Sequence, residues 1–311
     1  MARRQTRNGA GTRNGRLRNG SHKGVPPSVS TKRPTLIIIG GHEDKSGEGL
    51  VLREVARHVG RGKLVVSTVA SSEPEGLFEE YEEAFRKLGV ERIENLTVAS
   101  RGDAKKKEAV SVLDDATAIF FTGGDQLKIT SQIGDTPVFQ RIREIYSGGG
   151  LVAGTSAGAS AVCTTMLVTG TSRNSPRVGD AVQMAPGLGF IHDVIIDQHF
   201  AERGRMGRLI GAVAQNPKTL GLGIDEDTAI VVDAGERFYV VGSGAVYVAD
   251  GRDIIFSNVT ESDSEKTLAI HDVKLHVLSE GDAFDLNTRM PQNGNAMKFI
   301  RTLEATQSAA R

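Results

Sequence analysis

The chain has 311 residues and a mass of 33.2 kDa, with 39% hydrophobic and 24% charged residues, which is typical of a soluble globular protein of one large or two small domains. Its single cysteine, Cys163, excludes an internal disulfide, and no apolar run approaches the ~18 residues of a membrane-spanning helix. The basic start is not followed by an apolar segment, so we expect no signal peptide, no membrane partner and a cytoplasmic location.

Positive charge is concentrated at the amino terminus. Residues 1–33 carry nine Lys and Arg and no acid, whereas the rest of the chain holds 29 basic and 38 acidic residues. This segment is rich in Gly and Asn and poor in large apolar groups, which predicts a disordered basic tail. Such tails can bind polyanions, but we expect a solubilising extension before one α/β domain over residues 34–311, with no nucleic acid required.

Apolar runs and amphipathic segments alternate through the first half of the chain. Short apolar runs predict buried strands at 36–39, 64–69, 96–98, 116–121 and 151–153, and helical periodicity is found at 49–60, 77–88 and 137–146. This alternation predicts a mostly parallel sheet with helices on both faces. Later short runs, at 228–232, 238–241, 245–249, 273–278 and 284–286, predict an antiparallel meander that extends the sheet or its edge.

The most specific local signal directly follows the apolar run at 151–153. Gly154-Thr155-Ser156-Ala157-Gly158 has the Gly-x-Ser-x-Gly pattern of a nucleophile elbow, a sharp strand-to-helix turn that exposes the serine hydroxyl. The Ala157 N–H would then lie at a helix start, where it can stabilise an oxyanion. The alternative is a glycine-rich turn without chemistry.

A second glycine loop, Gly123-Gly124-Asp125-Gln126, ends the preceding strand. Ligands of parallel sheets bind beyond the carboxyl ends of the strands, so this loop is predicted to lie beside Ser156. Gly124 could then supply a second oxyanion N–H.

A serine nucleophile needs a base, and His199 is the best placed of seven histidines. It stands in 195–200 (IIDQHF), at the end of an apolar strand with polar residues just before it, which predicts that it too lies at the carboxyl edge of the sheet. Just after it come Arg203, Arg205 and Arg208, which either bind carboxylates through paired N–H groups or form a solvated helix start.

Other chemistries are poorly supported. There is no HExxH, paired CxxC, EF-hand or P-loop pattern, so we expect no metal and no cofactor. An α/β-hydrolase esterase would share the elbow but would place its histidine late, at His271 or His276. A class I glutamine amidotransferase would need cysteine in place of Ser156.

Several motifs together extend over residues 34–290. They are 39–41 (IGG) with the acidic residues after it, 123–126 (GGDQ), 154–159 (GTSAGA), 183–189 (QMAPGLG), 197–200 (DQHF) with the three arginines, and 223–229 (GIDEDTA). In these motifs the sequence resembles the cyanophycinases, of the serine peptidase group that also contains dipeptidase E. The resemblance implies a flavodoxin-like three-layer α/β sandwich, usually found as a homodimer.

The resemblance also implies an activity and residue roles. Cyanophycinases hydrolyse cyanophycin, a poly-aspartate with arginine on each side-chain carboxyl, and release β-Asp-Arg dipeptides. Ser156 and His199 match the nucleophile and base of the family. Its substrate-pocket positions correspond to Gln126, Asp197, Gln198, Arg203, Arg205 and Arg208.

One position departs from the family pattern. An acidic residue is expected about eighteen positions after the serine, and here that position carries Asn174. Asparagine can orient a histidine but cannot stabilise an imidazolium by charge. Three alternatives follow. The enzyme is slow with Asn174 in the catalytic group, or Asp180 or Asp225 replaces the acid, or the chain is a cyanophycin-binding homologue without activity. An Asp-specific peptidase like dipeptidase E also remains open.

Overall fold

The structure is a computed structural model that describes residues 33–170, 176–178, 182–233 and 236–292. The predicted tail, apart from Arg33, lies outside these ranges, as do Asn174 and Asp180.

Seven α-helices are found in the described residues, with a 3₁₀ turn at Asp103–Lys105. They are α1 Leu50–Val59, α2 Pro74–Lys87, α3 Lys107–Ser111, α4 Gln126–Ile133, α5 Pro137–Ser147, α6 Ala157–Ala161 and α7 Met206–Gln215. The strands are β1 Thr35–Ile39, β2 Lys63–Ser67, β3 Arg92–Leu96, β4 Ala116–Phe121, β5 Leu151–Thr155, β6 Thr165–Thr169, β7 Gln183–Pro186, β8 Val194–Gln198, β9 Leu220–Ile224, β10 Thr228–Asp233, β11 Arg237–Gly242, β12 Val246–Asp250, β13 Phe256–Ser257, β14 Ile270–His271, β15 Lys274–Leu278, β16 Ala283–Asp285 and β17 Met290–Gln292.

A nine-stranded sheet runs through the centre in the order β17-β16-β11-β10-β1-β5-β4-β2-β3. The five strands from β1 to β3 are mutually parallel, and the other four extend the sheet with antiparallel pairs. The parallel strands are buried on both faces, which is why the sequence shows apolar runs there rather than alternation.

Successive residues of each central strand pack into two different cores. In β1, Leu36 and Ile38 face one side and Ile37 and Ile39 the other. The helices α1 and α2 cover the second face, whereas α5 and α6 lie on the first. Helix, sheet and helix form the three layers, and the predicted α/β fold is confirmed.

A second sheet, in the order β15-β12-β9-β8, shares the first core. Its far face is covered by α7, whose Leu209 and Val213 pack with Phe200 and Ala249. The prediction that all later strands extend the central sheet is therefore only half right. Strands β10, β11 and β16 do so, but β12 and β15 join the second sheet, and so does β8, the strand before His199.

No helix in the described ranges is long and apolar enough to cross a membrane.

Candidate active site

The turn after β5 has the geometry of a nucleophile elbow. Ser156 adopts φ 52° and ψ −108°, a conformation that L-residues rarely occupy, and its N–H donates to the Ile39 carbonyl at 3.1 Å. A Cβ on Gly158 would lie 2.4 Å from the Phe121 carbonyl oxygen, so this position admits no side chain. The turn holds the Ser156 side chain out beyond the strand ends.

His199 meets this serine from the second sheet. Its Nε2 lies 2.9 Å from Ser156 Oγ, and its backbone N–H donates to the Gly40 carbonyl at 2.8 Å. The imidazole lies directly over Gly41, where a Cβ would come within 2.4 Å of the ring. The sequence placed His199 and Ser156 at one edge of one sheet. They do meet, but at the junction of two sheets.

The other ring nitrogen faces a carboxylate that sequence reasoning missed. His199 Nδ1 lies 2.6 Å from Oε1 of Glu226, which follows β9. Asp225, considered above as a replacement acid, instead accepts the backbone N–H groups of Ala201 and Ala245 at 2.9 and 3.1 Å. The carboxylate within hydrogen-bonding distance of the His199 ring is thus that of the adjacent residue, Glu226.

The surroundings of His199 favour its neutral form. Burial lowers the pKa of the imidazole below its ordinary 6.5, and the positive charges of Arg203 and Arg205 lower it further, while Glu226 opposes them. A neutral imidazole hydrogen-bonded to a hydroxyl can take its proton, and the carboxylate can stabilise the imidazolium that forms.

The second glycine loop lies beside the serine. A Cβ on Gly123 would be 3.4 Å from Ser156 Cβ, and Gly124 packs so tightly on Ala70 that a Cβ would come within 2.1 Å of its carbonyl oxygen. The Ala157 N–H is at the first turn of α6, where backbone donors have no partner within the helix. Gly123 thus lies against the Ser156 side chain, with Gly124 next to it in the chain, and the oxyanion role of the Gly124 and Ala157 N–H groups stays a prediction.

Two of the three predicted arginines form a buried ionic cluster. Arg208 Nε donates to Asp197 Oδ2 at 2.8 Å and its Nη2 to Oδ1, while Arg205 Nη1 donates to Oδ1 at 3.1 Å. The Asp197 side chain is 0% exposed, and each arginine is 8% exposed. A solvated helix start is therefore wrong for these two residues, although Arg203 is exposed.

Two guanidiniums share one carboxylate, which leaves an excess of positive charge. Arg205 Nη1 also bonds Gln198 Oε1 at 2.7 Å, but its buried Nε has no partner among the described residues. Burial lowers the pKa of Arg205 to about 10, and the nearby Arg208 and Arg203 charges contribute to this shift. An anion is the complementary ligand for such a cluster.

The amide of Gln126 is positioned by the neighbouring hairpin. Its Nε2 donates to the Leu167 and Val168 carbonyls at 3.0 and 3.2 Å, which leaves Oε1 as an acceptor. Asn174 lies outside the described residues. Within the described ranges, no three His, Cys, Asp or Glu side chains are grouped so that they could hold a metal ion.

A buried carboxylate supports the elbow from behind. Glu43 is 5% exposed and accepts the hydroxyl of Thr155, the residue before the serine, at 2.6 Å, and also that of Tyr81. Burial and the Glu43 charge hold the pKa of Tyr81 well above its ordinary value, so its hydroxyl remains a donor. No sequence pattern distinguished Glu43 from the other acids after the first strand.

Comparison with known proteins places this geometry in a family. The model of peptidase family S51 matches residues 37–240, which include the elbow, His199 and Glu226. The chain belongs to peptidase family S51. It is thus a serine-type peptidase, and the enzyme class expected from the sequence is confirmed.

Relatives within S51 share most of the chain. A cyanophycinase of Nostoc sp. is 38% identical over 260 residues, covering 83% of this chain and 87% of the relative. Those of Geminocystis herdmanii and Synechococcus elongatus are 37% and 36% identical, over 84% and 83% of this chain and 97% and 81% of theirs. The resemblance to cyanophycinases is confirmed.

A solved structure shares the fold of this chain. The crystal structure of a peptidase from an acI-B1 Actinobacterium superimposes with a TM-score of 0.60 at 24% identity, covering 83% of this chain and 98% of that one.

The late histidines that an esterase would need as its base have other contacts. The His271 ring contacts Phe256, and the His276 ring contacts Phe284.

Proposed function

We propose that the chain hydrolyses cyanophycin and releases β-Asp-Arg dipeptides through an acyl-enzyme on Ser156. The single observation that carries the proposal is the continuous hydrogen-bonded series Ser156–His199–Glu226, with distances of 2.9 and 2.6 Å. The cyanophycinase names of its relatives support the substrate.

The proposed reaction follows from the positions of these groups. Ser156 Oγ attacks a carbonyl of the poly-aspartate backbone as His199 Nε2 takes its proton. Glu226 holds the proton of Nδ1 and stabilises the imidazolium, while the Gly124 and Ala157 N–H groups donate to the oxyanion. His199 then protonates the leaving amine, and the same groups activate a water that hydrolyses the ester.

The arginines fit the anionic part of such a substrate. Each branch of cyanophycin ends in a carboxylate and a guanidinium. Asp197 is fully engaged with Arg205 and Arg208, so we assign it to positioning these two guanidiniums rather than to direct substrate contact. Arg203 would supply an exposed positive charge, and the oxygens of Gln126 and Gln198 would act as acceptors.

The position of Glu226 weakens the alternative that the chain binds cyanophycin without hydrolysing it. A binding protein without turnover was considered because Asn174 stands where an acid was expected. A carboxylate on Nδ1 of His199 supplies the charge whose absence motivated that alternative. Asn174 as a catalytic residue and the homodimer remain predictions.

The test is release of β-Asp-Arg from purified cyanophycin, with an α-linked aspartyl dipeptide as a second substrate. We expect turnover of the polymer by the wild type and none by Ser156→Ala, which removes one hydroxyl and leaves the fold intact. Glu226→Gln should lower kcat by about 10²–10⁴-fold. The matched variant Asp225→Asn should lower kcat far less, because Asp225 accepts the backbone N–H groups of Ala201 and Ala245 rather than the His199 ring. Hydrolysis of the dipeptide alone, or turnover by Ser156→Ala, would contradict the proposal.

A further inference from the structure

A groove separate from the Ser156 site lies at the carboxyl ends of β2 and β3. We name it the β2–β3 groove. It has a volume of about 350 Å³, and its polar lining residues include Thr68, Ser71, Thr97, Lys128 and Gln132. This volume is at the lower end of the range for small-ligand pockets.

The second glycine loop, residues 123–126, lies between the groove and the proposed active site. Asp125 N–H donates to the Ala70 carbonyl at 3.0 Å, and Lys128 Nζ lies 3.5 Å from the carbonyl of Ser71, which lines the groove. The other end of that loop adjoins Ser156. Strand order from the serine is β5, β4, β2, β3, and strands are spaced about 4.8 Å apart, so the groove centre is about 12 Å from the serine strand.

The lining of the groove has a defined chemistry. Lys128 is the one charged side chain among the described residues that form it, and it is half-buried on α4. One turn later on the same helix, Gln132 Oε1 is buried and has no hydrogen-bond partner among the described residues. A positive charge beside an unsatisfied acceptor suits a ligand that offers a carboxylate and an N–H donor.

We propose that the β2–β3 groove binds a remote repeat unit of the polymer, with Lys128 pairing with a branch carboxylate and Gln132 accepting an N–H. The proposal rests on the proposed function above. An extended peptide advances about 3.3–3.6 Å per residue, so a chain with its scissile bond at Ser156 reaches the groove after three or four residues. Short substrates do not reach it.

The experiment compares initial rates on oligomers of two and of six β-Asp-Arg units. For the wild type we expect the six-unit oligomer to have the lower KM. Lys128→Met should raise the KM of the six-unit oligomer about threefold to tenfold and leave its kcat, and both constants of the two-unit oligomer, unchanged. Lys128→Arg should retain most of the wild-type KM. Gln132→Leu should act as Lys128→Met does, on the long oligomer only.

A matched control removes the same charge elsewhere. Lys218, which pairs with Asp193 at 3.0 Å before the start of β9 in the second sheet, does not line the groove, so Lys218→Met should change neither KM. Equal effects of Lys128→Met on both oligomers, or none on the longer one, would overturn the groove assignment. If the wild type hydrolyses neither oligomer, the proposed function itself fails, and the two failures are thus distinct.

Discussion

His199 is held between groups that act on its protonation in opposite directions. Burial disfavours the imidazolium, and the guanidiniums of Arg203 and Arg205 repel it, but the Glu226 carboxylate attracts it. The net result is a pKa below the ordinary 6.5. The lowered pKa favours the neutral imidazole, which is the form that the proposed base needs to accept the Ser156 proton.

The pH profile of kcat/KM should report this balance. The proposed mechanism needs neutral His199, so we expect the acid limb to have its midpoint below 6.5, with rates falling as pH drops through it. Arg203→Gln removes a repelling charge and should move the acid limb to higher pH. Glu226→Gln removes the attracting charge and should move it to lower pH while lowering kcat. Acid limbs that shift in the same direction in both variants would contradict this account.

Glu226 could not be identified from the sequence because three acids stand together. Asp225 accepts backbone N–H groups, Glu226 faces the imidazole, and Asp227 accepts from the Asp44 N–H and the Ser243 hydroxyl. Which of the three turns toward His199 depends on the path of the backbone between β9 and β10, and those strands belong to different sheets. The serine and the histidine were predictable because each directly follows an apolar strand.

The shape of the elbow depends on two glycines, Gly154 and Gly158, because a side chain at either position would collide with neighbouring backbone. The short helix α6 begins at Ala157, immediately after the strained serine, and all its residues are buried. Gly158 lets this helix approach the end of β4, and Gly154 lets the strand pass within contact distance of the helix backbone. The spacing of the two glycines thus follows from the close approach of the strand and the helix.

Gly158→Ala tests this requirement. The new Cβ would lie 2.4 Å from the Phe121 carbonyl oxygen, so backbone must shift, and we expect the free energy of unfolding to fall by about 1–3 kcal/mol, with a loss of kcat. Gly76→Ala is the matched control. It meets nothing within 4 Å inside α2 and should increase stability by about 0.5–1 kcal/mol. Chemical denaturation of both variants gives the comparison, and an unaffected Gly158→Ala protein would refute it.

At the level of elements, the sequence predicted strands well where both faces are buried. The strand predicted at 96–98 is instead β3, Arg92–Leu96, because an edge strand alternates exposed and buried residues and shows no apolar run. The sheet to which β8 belongs was not predictable either. An apolar run indicates only that a strand is buried on both faces. Because β8 is fully buried in the second sheet, its sequence looks the same as that of a strand buried in the central sheet.

At the scale of the whole molecule, the two sheets are joined by one core. Ile196 and Leu222 of the second sheet belong to the same buried cluster as Phe238 and Val240 of the central sheet. Ser156 extends from the central sheet, whereas His199 follows a strand of the second. The relative position of the proposed catalytic groups therefore depends on this shared core.

The same substitution, Leu→Ala, should affect stability very differently at a buried and at an exposed position of the second sheet. Leu222 is 0% exposed between the sheets, so Leu222→Ala should lower the free energy of unfolding by about 2–5 kcal/mol. Leu275, on β15 of the same sheet, is 46% exposed, and Leu275→Ala should change the free energy of unfolding by less than about 1 kcal/mol. Urea denaturation followed by circular dichroism measures both values. Similar losses in the two variants would mean that the sheets do not share a core.

The division of the proposed triad between two sheets also has a consequence during synthesis. Ser156 leaves the ribosome early, with its elbow between β5 and α6, but His199 and Glu226 follow only after the chain has passed through β8 and β9. Strand β8 pairs with β9, and β9 in turn pairs with β12, which is made later still. With the proposed triad, we therefore expect the nascent peptidase to stay inert until its second sheet closes over the first, so that hydrolytic activity begins only when folding is nearly complete.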